Sequence, residues 1–197
     1  AELNYNRFKS WKNPSESDSS KQAIYAFKGD VYSGLDAESI KEDNLEFLQD
    51  NLRIISGYYG LLRPFDKILP YRLEMGIKLS NSRGKNLYEF WGDSITELLN
   101  DDIEDENDYV INLASEEYYK SVNKKKLKNQ VITPVFKEYK NGTYKTIAIY
   151  AKKARGLMSR FIIDNQINSP GKIKTFNTTG YSFDSDLSDT YKYVFTR

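Results

Sequence analysis

The stretch from Val131 to Asn165, VITPVFKEYKNGTYKTIAIYAKKARGLMSRFIIDN, contains the clearest structural signals in the sequence. Asn141 and Gly142 lie between two segments rich in β-branched and aromatic residues, Val131 to Tyr139 and Tyr144 to Tyr150. An Asn-Gly pair in this setting favours the two-residue turn of a β-hairpin, since both residues tolerate a positive φ. The stretch therefore predicts two antiparallel strands followed directly by a helix.

The helix predicted for Ala151 to Asn165 has two chemically different faces. A helical wheel gathers its apolar side chains on one side and its cations on the other, with Gly156 between the cations. A glycine inside a helix costs about 1 kcal/mol relative to alanine, so its position indicates either close packing or the close approach of a ligand. We favour contact with a phosphate. The cations are Lys152, Lys153, Arg155 and Arg160.

Charge is distributed unevenly along a chain whose formal net charge is only +1. The segment from Glu89 to Glu117 has eleven acidic residues and no Lys or Arg, whereas the segment from Lys120 to Arg160 has twelve cations and one acid, Glu138. A positive face formed by the second segment would be typical of a protein that binds a polyanion. The alternative is that the two segments neutralise each other in the folded chain.

A second basic cluster lies in the connection before the hairpin. Lysines in loops are commonly solvated, so this cluster alone is weak evidence for a binding site. Together with the cations of the helix, it predicts contacts with the phosphates of a nucleic acid. Its members are Lys124, Lys125, Lys126 and Lys128.

Composition excludes several kinds of protein. The chain has 197 residues, of which 39% are hydrophobic and 14% aromatic, enough to form a core. It has no Cys and no His, which excludes disulfides, thiolate or imidazole catalysis and metal sites built from these side chains. No apolar run approaches the length of a membrane span, and the first residues are polar rather than a signal peptide. We therefore expect a cytoplasmic protein that does not associate with a membrane and binds no cofactor.

The order of these signals predicts an α+β fold for residues 1–197. We expect a single compact domain with a mixed sheet that contains the β-hairpin and is flanked by helices. Gln22 to Phe27 is predicted as a short buried strand, and Leu87 to Leu99 as one helix. No internal repeat and no glycine-rich phosphate loop is present, which argues against a Rossmann or P-loop fold.

The segment from Ser56 to Gly76 places charges among large apolar residues. One interpretation is a buried or half-buried network in which Arg72 pairs with Glu74. The other is a polar pocket in which Arg63 or Arg72 receives a phosphate or carboxylate, as in an enzyme that acts on a small molecule of that kind. Both interpretations stay open, and the candidate residues are Arg63, Asp66, Arg72 and Glu74.

Gly57 and Gly60 flank a short turn, Gly57-Tyr58-Tyr59-Gly60, that follows a predicted helix. Backbone N–H groups at such a turn can hold a phosphate, as they do in hairpins that join two helices of duplex-binding proteins. The turn is therefore a candidate for holding a phosphate.

Six collinear strings resemble the YaaA family of bacterial peroxide-stress proteins, and the resemblance covers nearly the whole chain from Ala23 to Arg197. The strings are FKGDVYSGLDA (27–37), RIISGYYGLLRPFDKILPYRLEMG (53–76), GKNLYEFWGD (84–93), INLASEEYYKSV (111–122), YAKKARGLMSRFIIDN (150–165) and FNTTGYSFD (176–184).

The resemblance implies a cytosolic protein of the hydrogen peroxide response that limits oxidative damage by keeping unincorporated intracellular iron low. It also implies binding to double-stranded or distorted DNA through a helix-hairpin-helix element and a positively charged cleft. On this chain the hairpin corresponds to Gly57 to Gly60, and the cleft to Lys124 to Lys128 with Lys152 to Arg160. Family members begin with a further N-terminal segment containing a Ser-Pro-Ala-Lys string, which is missing from this sequence.

Three functions therefore remain in consideration. The leading one is a DNA-binding protein without catalysis, which contacts phosphates and reads DNA shape rather than sequence. The second is the small-molecule enzyme, and the third is an interaction module whose acidic segment, Glu89 to Glu117, docks a basic partner. We expect any effect on iron to be indirect, since a chain without His or Cys could bind iron only through oxygen ligands. The acidic run Asp101 to Asp108 lacks EF-hand spacing and is interpreted as a solvated loop.

Overall fold

A computed structural model of the chain describes residues 2–9, 11–103, 105 and 107–197. Within these residues the α-helices are α1 (Glu2–Lys9), α2 (Ala23–Ala26), α3 (Asp30–Leu35), α4 (Leu45–Asn51), α5 (Leu87–Trp91), α6 (Ser94–Asp102), α7 (Glu116–Tyr119) and α8 (Ala148–Asp164). The strands are β1 (Lys21–Gln22), β2 (Ile54–Ser56), β3 (Gly60–Leu62), β4 (Lys67–Ile68), β5 (Tyr109–Ile111), β6 (Gln130–Lys140), β7 (Thr143–Lys145), β8 (Ser182–Asp184) and β9 (Lys192–Thr196).

The chain divides into two compact units, each formed from three stretches of sequence. The first unit contains the described residues of 1–27, 48–102 and 116–127, and the second those of 28–47, 103–115 and 128–197. Helices and strands are mixed in both, so the predicted α+β class is confirmed. Within the described residues, no helix is both long enough and apolar enough to cross a membrane.

The first unit contains two small antiparallel pairs, β1 with β4 and β2 with β3. In the second pair Ser56 lies opposite Gly60, which makes β2 and β3 a tight hairpin. Several helices and loops of this unit contribute to its interior, because large apolar side chains from each of them are buried. These side chains include Leu48, Ile54, Leu62, Met75 and Ile95.

The second unit contains a five-stranded mixed sheet with the order β5-β6-β9-β8, and β7 pairs with the end of β6. β6 runs parallel to β5 and β9, while β7 is antiparallel to β6 and β8 is antiparallel to β9. Buried and less buried residues alternate along much of β6. This alternation places Ile132 and Phe136 in one core with Met158 of α8. α8 therefore covers one face of the sheet.

The β-hairpin predicted at Asn141 and Gly142 is confirmed. Both residues have the positive φ that a two-residue turn requires, 53° and 78° respectively. Its second strand is shorter than predicted, however, since β7 ends at Lys145 and α8 begins at Ala148.

Two local predictions are wrong. Gln22 to Phe27 was predicted as a strand, but α2 occupies Ala23–Ala26, and its first residues donate to the Asp66 and Pro64 carbonyls across the unit. The single helix predicted from Leu87 to Leu99 is divided into α5 and α6 at Gly92, whose φ of 51° is incompatible with a continuous helix.

Close packing of α3 against α8 explains the glycine inside α8. A methyl group on Gly156 would overlap the Val31 carbonyl oxygen and lie 2.9 Å from the Gly34 Cα, while one on Gly34 would lie 3.0 Å from the Leu157 nitrogen. Two backbones can approach this closely only where both helices lack side chains. Gly156 is therefore required for helix packing, and the interpretation that it admits a phosphate is not supported.

We predict that Gly156→Ala lowers the free energy of unfolding by about 1–3 kcal/mol, because the added methyl group forces α3 away from α8. Chemical denaturation measures this change. Gly171→Ala is the matched control, since a methyl group there meets nothing nearer than the Ser169 hydroxyl at 3.9 Å. Equal stability of Gly156→Ala and the parent protein would show that the contact between the two helices is not tight.

Candidate nucleic-acid interface

The outer face of α8 presents two lysines to solvent. Ala151, Ala154 and Met158 are buried against the sheet, which directs Lys152 and Lys153 outwards. Within the described part of the chain, neither lysine forms an ion pair, so their charge is not neutralised locally. This arrangement suits contact with a phosphate.

Arg160 has a different environment from the two lysines. Its Nη1 donates to the Asp36 carbonyl oxygen at 3.0 Å and to the Ser39 hydroxyl at 2.6 Å, and its Nε donates to the Asp164 carboxylate at 2.7 Å. These acceptors follow the end of α3 and lie near the end of α8. Arg160 therefore holds the loop after α3 against α8. To contact DNA as predicted, its guanidinium would have to exchange some of these hydrogen bonds for bonds to a phosphate.

Arg155 is half-buried on the same helix. Burial lowers the pKa of its guanidinium, and among the described residues no carboxylate pairs with it. An arginine remains charged even with this shift. A cation held partly out of water without a counterion would be stabilised by a bound anion.

The second basic cluster is divided between the two units, with Lys124, Lys125 and Lys126 in the first and Lys128 in the second. All four lysines are exposed. The Lys126 ammonium donates to the Asp93 carboxylate at 2.7 Å, and this bond raises the pKa of Lys126. This ion pair joins the basic segment, Lys120 to Arg160, to the acidic segment, Glu89 to Glu117. The charge of Lys126 is therefore neutralised within the folded chain.

Lys124 and Lys125 are the more accessible cations of this cluster. The Lys124 ammonium lies 5.1 Å from the ring centroid of Tyr119, a cation–π contact that leaves the charge exposed. The backbone N–H of Lys125 donates to the Asn123 side chain at 3.1 Å, which fixes the turn that carries both lysines. The turn is therefore held in place at Asn123, while the side chains of Lys124 and Lys125 remain exposed.

The predicted phosphate-binding turn at Gly57 and Gly60 joins two strands, β2 and β3, rather than two helices. Its amides are also occupied, because the Ser56 hydroxyl accepts from the N–H groups of Tyr58 and Tyr59 at 3.2 and 2.9 Å. The helix-hairpin-helix prediction is not confirmed at this position.

Tight packing accounts for both glycines of this turn. A methyl group on Gly57 would lie 2.5 Å from the Leu73 carbonyl oxygen, and one on Gly60 would lie 2.8 Å from the Trp91 ring. The Trp91 indole also donates to the Gly57 carbonyl oxygen at 3.0 Å. The glycines are required for the packing of the first unit.

The proposed pocket residues fall into two places. Arg63 and Asp66 line a shallow groove of about 230 Å³ together with Arg53 and Asp102, which the sequence analysis did not single out. Arg72 and Glu74 are not part of the lining of this groove.

Arg72 and Glu74 do pair, but at 3.8 Å and with side chains 80% and 67% exposed. Of the two interpretations, that of a buried or half-buried pair is therefore wrong. Their apolar neighbours in the sequence do not enclose them, and an exposed pair of this kind contributes little to stability.

A partly buried ionic network of the first unit is centred on Asp102. Its carboxylate accepts from Arg53 Nε at 2.5 Å and from an Arg63 terminal nitrogen at 2.6 Å. Arg53 in turn donates to the backbone carbonyls of Gln49, Asp50 and Leu52. Both oxygens of the Asp102 carboxylate therefore accept from arginines within the network, as expected of a structural network, while the Arg63 side chain stays 48% exposed.

The acidic run also has a structural explanation. The Asp105 carboxylate accepts from the backbone and side chain of Asn107, and Asn129 donates to the carbonyls of Asp105 and Asp108. Among the described residues, no three acidic side chains are grouped as a metal ion requires. Glu104 and Glu106 of this run lie outside the described residues.

The sequence analysis missed a group of exposed aromatic residues near the basic positions. Tyr139, Tyr144 and Tyr150 are 62%, 42% and 46% exposed, although aromatic side chains are commonly buried. The signal that could have found Tyr139 and Tyr144 is their position beside the Asn-Gly turn, where a hairpin projects beyond the core, whereas Tyr150 lies in the first turn of α8.

Comparison with known proteins identifies the family. The family described as "Peroxide stress protein YaaA" matches residues 1–187. The chain is also 52% identical over 198 residues to a UPF0246 protein of Hahella chejuensis (strain KCTC 2396), an alignment that covers 100% of this chain and 77% of the relative. The chain therefore belongs to the YaaA family of peroxide stress proteins, as the resemblance predicted.

We predict that Asp102→Asn lowers the free energy of unfolding by about 1–3 kcal/mol at neutral pH, since two arginines lose a charged acceptor. Burial by itself would raise the pKa of Asp102, but hydrogen bonds and charge from Arg53 and Arg63 lower it below its usual 3.8. The stabilisation is therefore present above about pH 4 and is lost as the pH falls through the lowered pKa. Denaturation curves of parent and variant should converge in acid.

The control is Glu74→Gln, which alters an exposed pair and should change the free energy of unfolding by less than about 0.5 kcal/mol. A larger loss in Glu74→Gln than in Asp102→Asn would show that the wrong network has been assigned as structural.

Proposed function

We propose that this YaaA-family protein acts in the peroxide stress response by binding DNA through exposed lysines, without reading its sequence. The observation that carries the proposal is the outer face of α8, where Lys152 and Lys153 are exposed and lack a carboxylate partner among the described residues. Lysines in this state can neutralise phosphates and release counterions, which is the main source of affinity in non-specific DNA binding.

The electrostatics of the second unit support this proposal. Glu138 is the one acid between Lys120 and Arg160, and it is already bonded to the Tyr181 hydroxyl and to Arg197 Nε, the latter at 2.8 Å. Its side chain is only 13% exposed. The carboxylate is therefore paired with Arg197 rather than with Lys152 or Lys153.

Lys124 and Lys125 of the first unit and Lys128 of the second are also exposed, and each could neutralise a phosphate by itself. Arg155 would gain a counterion from a nearby phosphate. Contacts of these cations with the phosphate backbone carry no direct sequence information. Binding therefore depends on the shape and charge of double-stranded or distorted DNA.

We propose that the protein lowers unincorporated iron indirectly. A chain with no His and no Cys offers only oxygen ligands, which favour hard cations and hold ferrous iron weakly. Equilibrium dialysis against ferrous iron under anaerobic conditions tests this part of the proposal. Stoichiometric binding at micromolar iron would contradict it.

Replacing the exposed lysines of α8 tests DNA binding. We predict that Lys152→Gln with Lys153→Gln weakens binding to a duplex and reduces the slope of log affinity against log salt by about 2, since each lysine neutralises about one phosphate. Fluorescence anisotropy with a labelled duplex at several salt concentrations gives both quantities.

Lys41→Gln with Lys78→Gln is the matched control, because it removes the same charge from exposed lysines outside the basic segment. This control should keep the parent slope. A flat salt dependence of the parent protein, or equal slopes for the two double variants, would contradict the proposal. Arg160 is unsuitable for this test, since its replacement would release the loop after α3.

Sequence preference provides a separate check. We predict that selection from a random duplex library returns no consensus, because the proposed contacts are with phosphates. Duplexes with a bulge or mismatch should compete at least as well as a perfect duplex, since flexible sites deform at lower cost. Recovery of a sharp consensus would show that side chains reach base edges.

A further inference from the structure

The hairpin formed by β6 and β7 projects an aromatic pair into solvent. Residues 139–146 are all exposed, and Tyr139 lies directly opposite Tyr144 in the register of the two strands. Their ring centroids are 5.2 Å apart, with an angle of 64° between the planes. An edge-to-face pair of this kind leaves ring faces uncovered, so the tyrosines are accessible to a flat ligand.

The charge around the pair is positive. Lys137 lies two residues before Tyr139 and therefore on the same face of β6, while Lys140 and Lys145 lie on the opposite face of the hairpin. None of the three forms an ion pair within the part of the chain that the structure describes. Exposed aromatic rings with Lys137 on their own face and two further lysines on the opposite face of the hairpin suit a ligand that is both flat and anionic.

We propose that Tyr139 and Tyr144 form a stacking site for unpaired bases of DNA. This proposal rests on the proposed DNA binding, but the stacking site lies on a different surface from the lysines of α8. Proteins that bind single strands combine basic grooves with aromatic side chains on which bases stack. Stacking needs an unpaired base with an accessible face, which an intact duplex does not offer.

The position of the hairpin separates this site from the lysines of α8. Ile132 and Phe136 of β6 face α8, whereas Lys137 and Tyr139 have the opposite parity and point to the other side of the sheet. The aromatic pair is thus available to a nucleotide flipped out of a distorted duplex or to a single strand. Duplex binding through α8 does not require it.

The test compares affinities for a fluorescein-labelled oligo(dT) strand and for a duplex of equal length. Tyr139→Val with Tyr144→Val removes both rings but keeps residues that favour strands. We expect it to lose about tenfold or more in affinity for the single strand, with unchanged duplex affinity and an unchanged salt slope. Tyr139→Phe with Tyr144→Phe keeps the rings and should bind both as the parent does.

Tyr191→Val is the matched control, since Tyr191 is 51% exposed and lies in the same unit but outside the hairpin. Photocrosslinking of the parent protein to an oligonucleotide containing 5-iododeoxyuridine gives a readout that needs no variant. The adducts should map to Tyr139 or Tyr144. Adducts that map elsewhere, or parent-like single-strand affinity of the Val double variant, would overturn the proposal.

The outcomes separate this proposal from the proposed function. If the parent protein binds the duplex through Lys152 and Lys153 but the Tyr variants bind the single strand normally, only the stacking site is wrong. If the parent binds neither nucleic acid, both proposals fail. Analytical ultracentrifugation of the parent and the Val double variant tests a further alternative. If the variant loses self-association and its nucleic-acid affinity does not change, the aromatic pair forms a contact between copies of the chain, and the stacking proposal is overturned.

Discussion

The contact between Gly34 of α3 and Gly156 of α8 is the constraint on which the second unit depends. It brings two helix backbones together at a distance that no side chain would permit. α8 packs against the sheet on one side and against α3 at these glycines. Its remaining surface is therefore defined by packing, and Lys152 and Lys153 are exposed as a consequence.

Hydrogen bonding divides the cations of the basic segment into two groups with different roles. Arg160 and Lys126 are bonded to acceptors that hold loops in place, whereas Lys152 and Lys153 keep an accessible charge. Guanidinium groups suit the structural role because they present several donors in a fixed geometry to several acceptors at once. A count of positive charges along the sequence does not distinguish the two groups, but a list of their acceptors does.

Ionic networks show the same difference between sequence and structure. Arg72 and Glu74 are close in the sequence, and one interpretation of the sequence placed them in a buried or half-buried network, yet they remain at the surface. The more enclosed carboxylate is Asp102, with a side chain 21% exposed, and it is 49 and 39 positions from Arg53 and Arg63. Contacts of such sequence separation depend on the path of the chain, so local composition could not identify them.

The sequence by itself determined the elements with strong local signals. The Asn141-Gly142 hairpin, the amphipathic α8, the α+β class and the family all follow from residues that are near one another along the chain, because turn geometry and helical periodicity are local properties. Tertiary structure decided why Gly156 is a glycine, which cations remain accessible, and that Gly57 and Gly60 join strands. Gly156 is required by its contact with Val31, and Gly57 and Gly60 by their contacts with Leu73 and Trp91. The accessible cations are those that lack such acceptors as Asp36 and Ser39, which Arg160 binds. These contacts join positions that are separated along the chain, so local sequence preferences do not specify them.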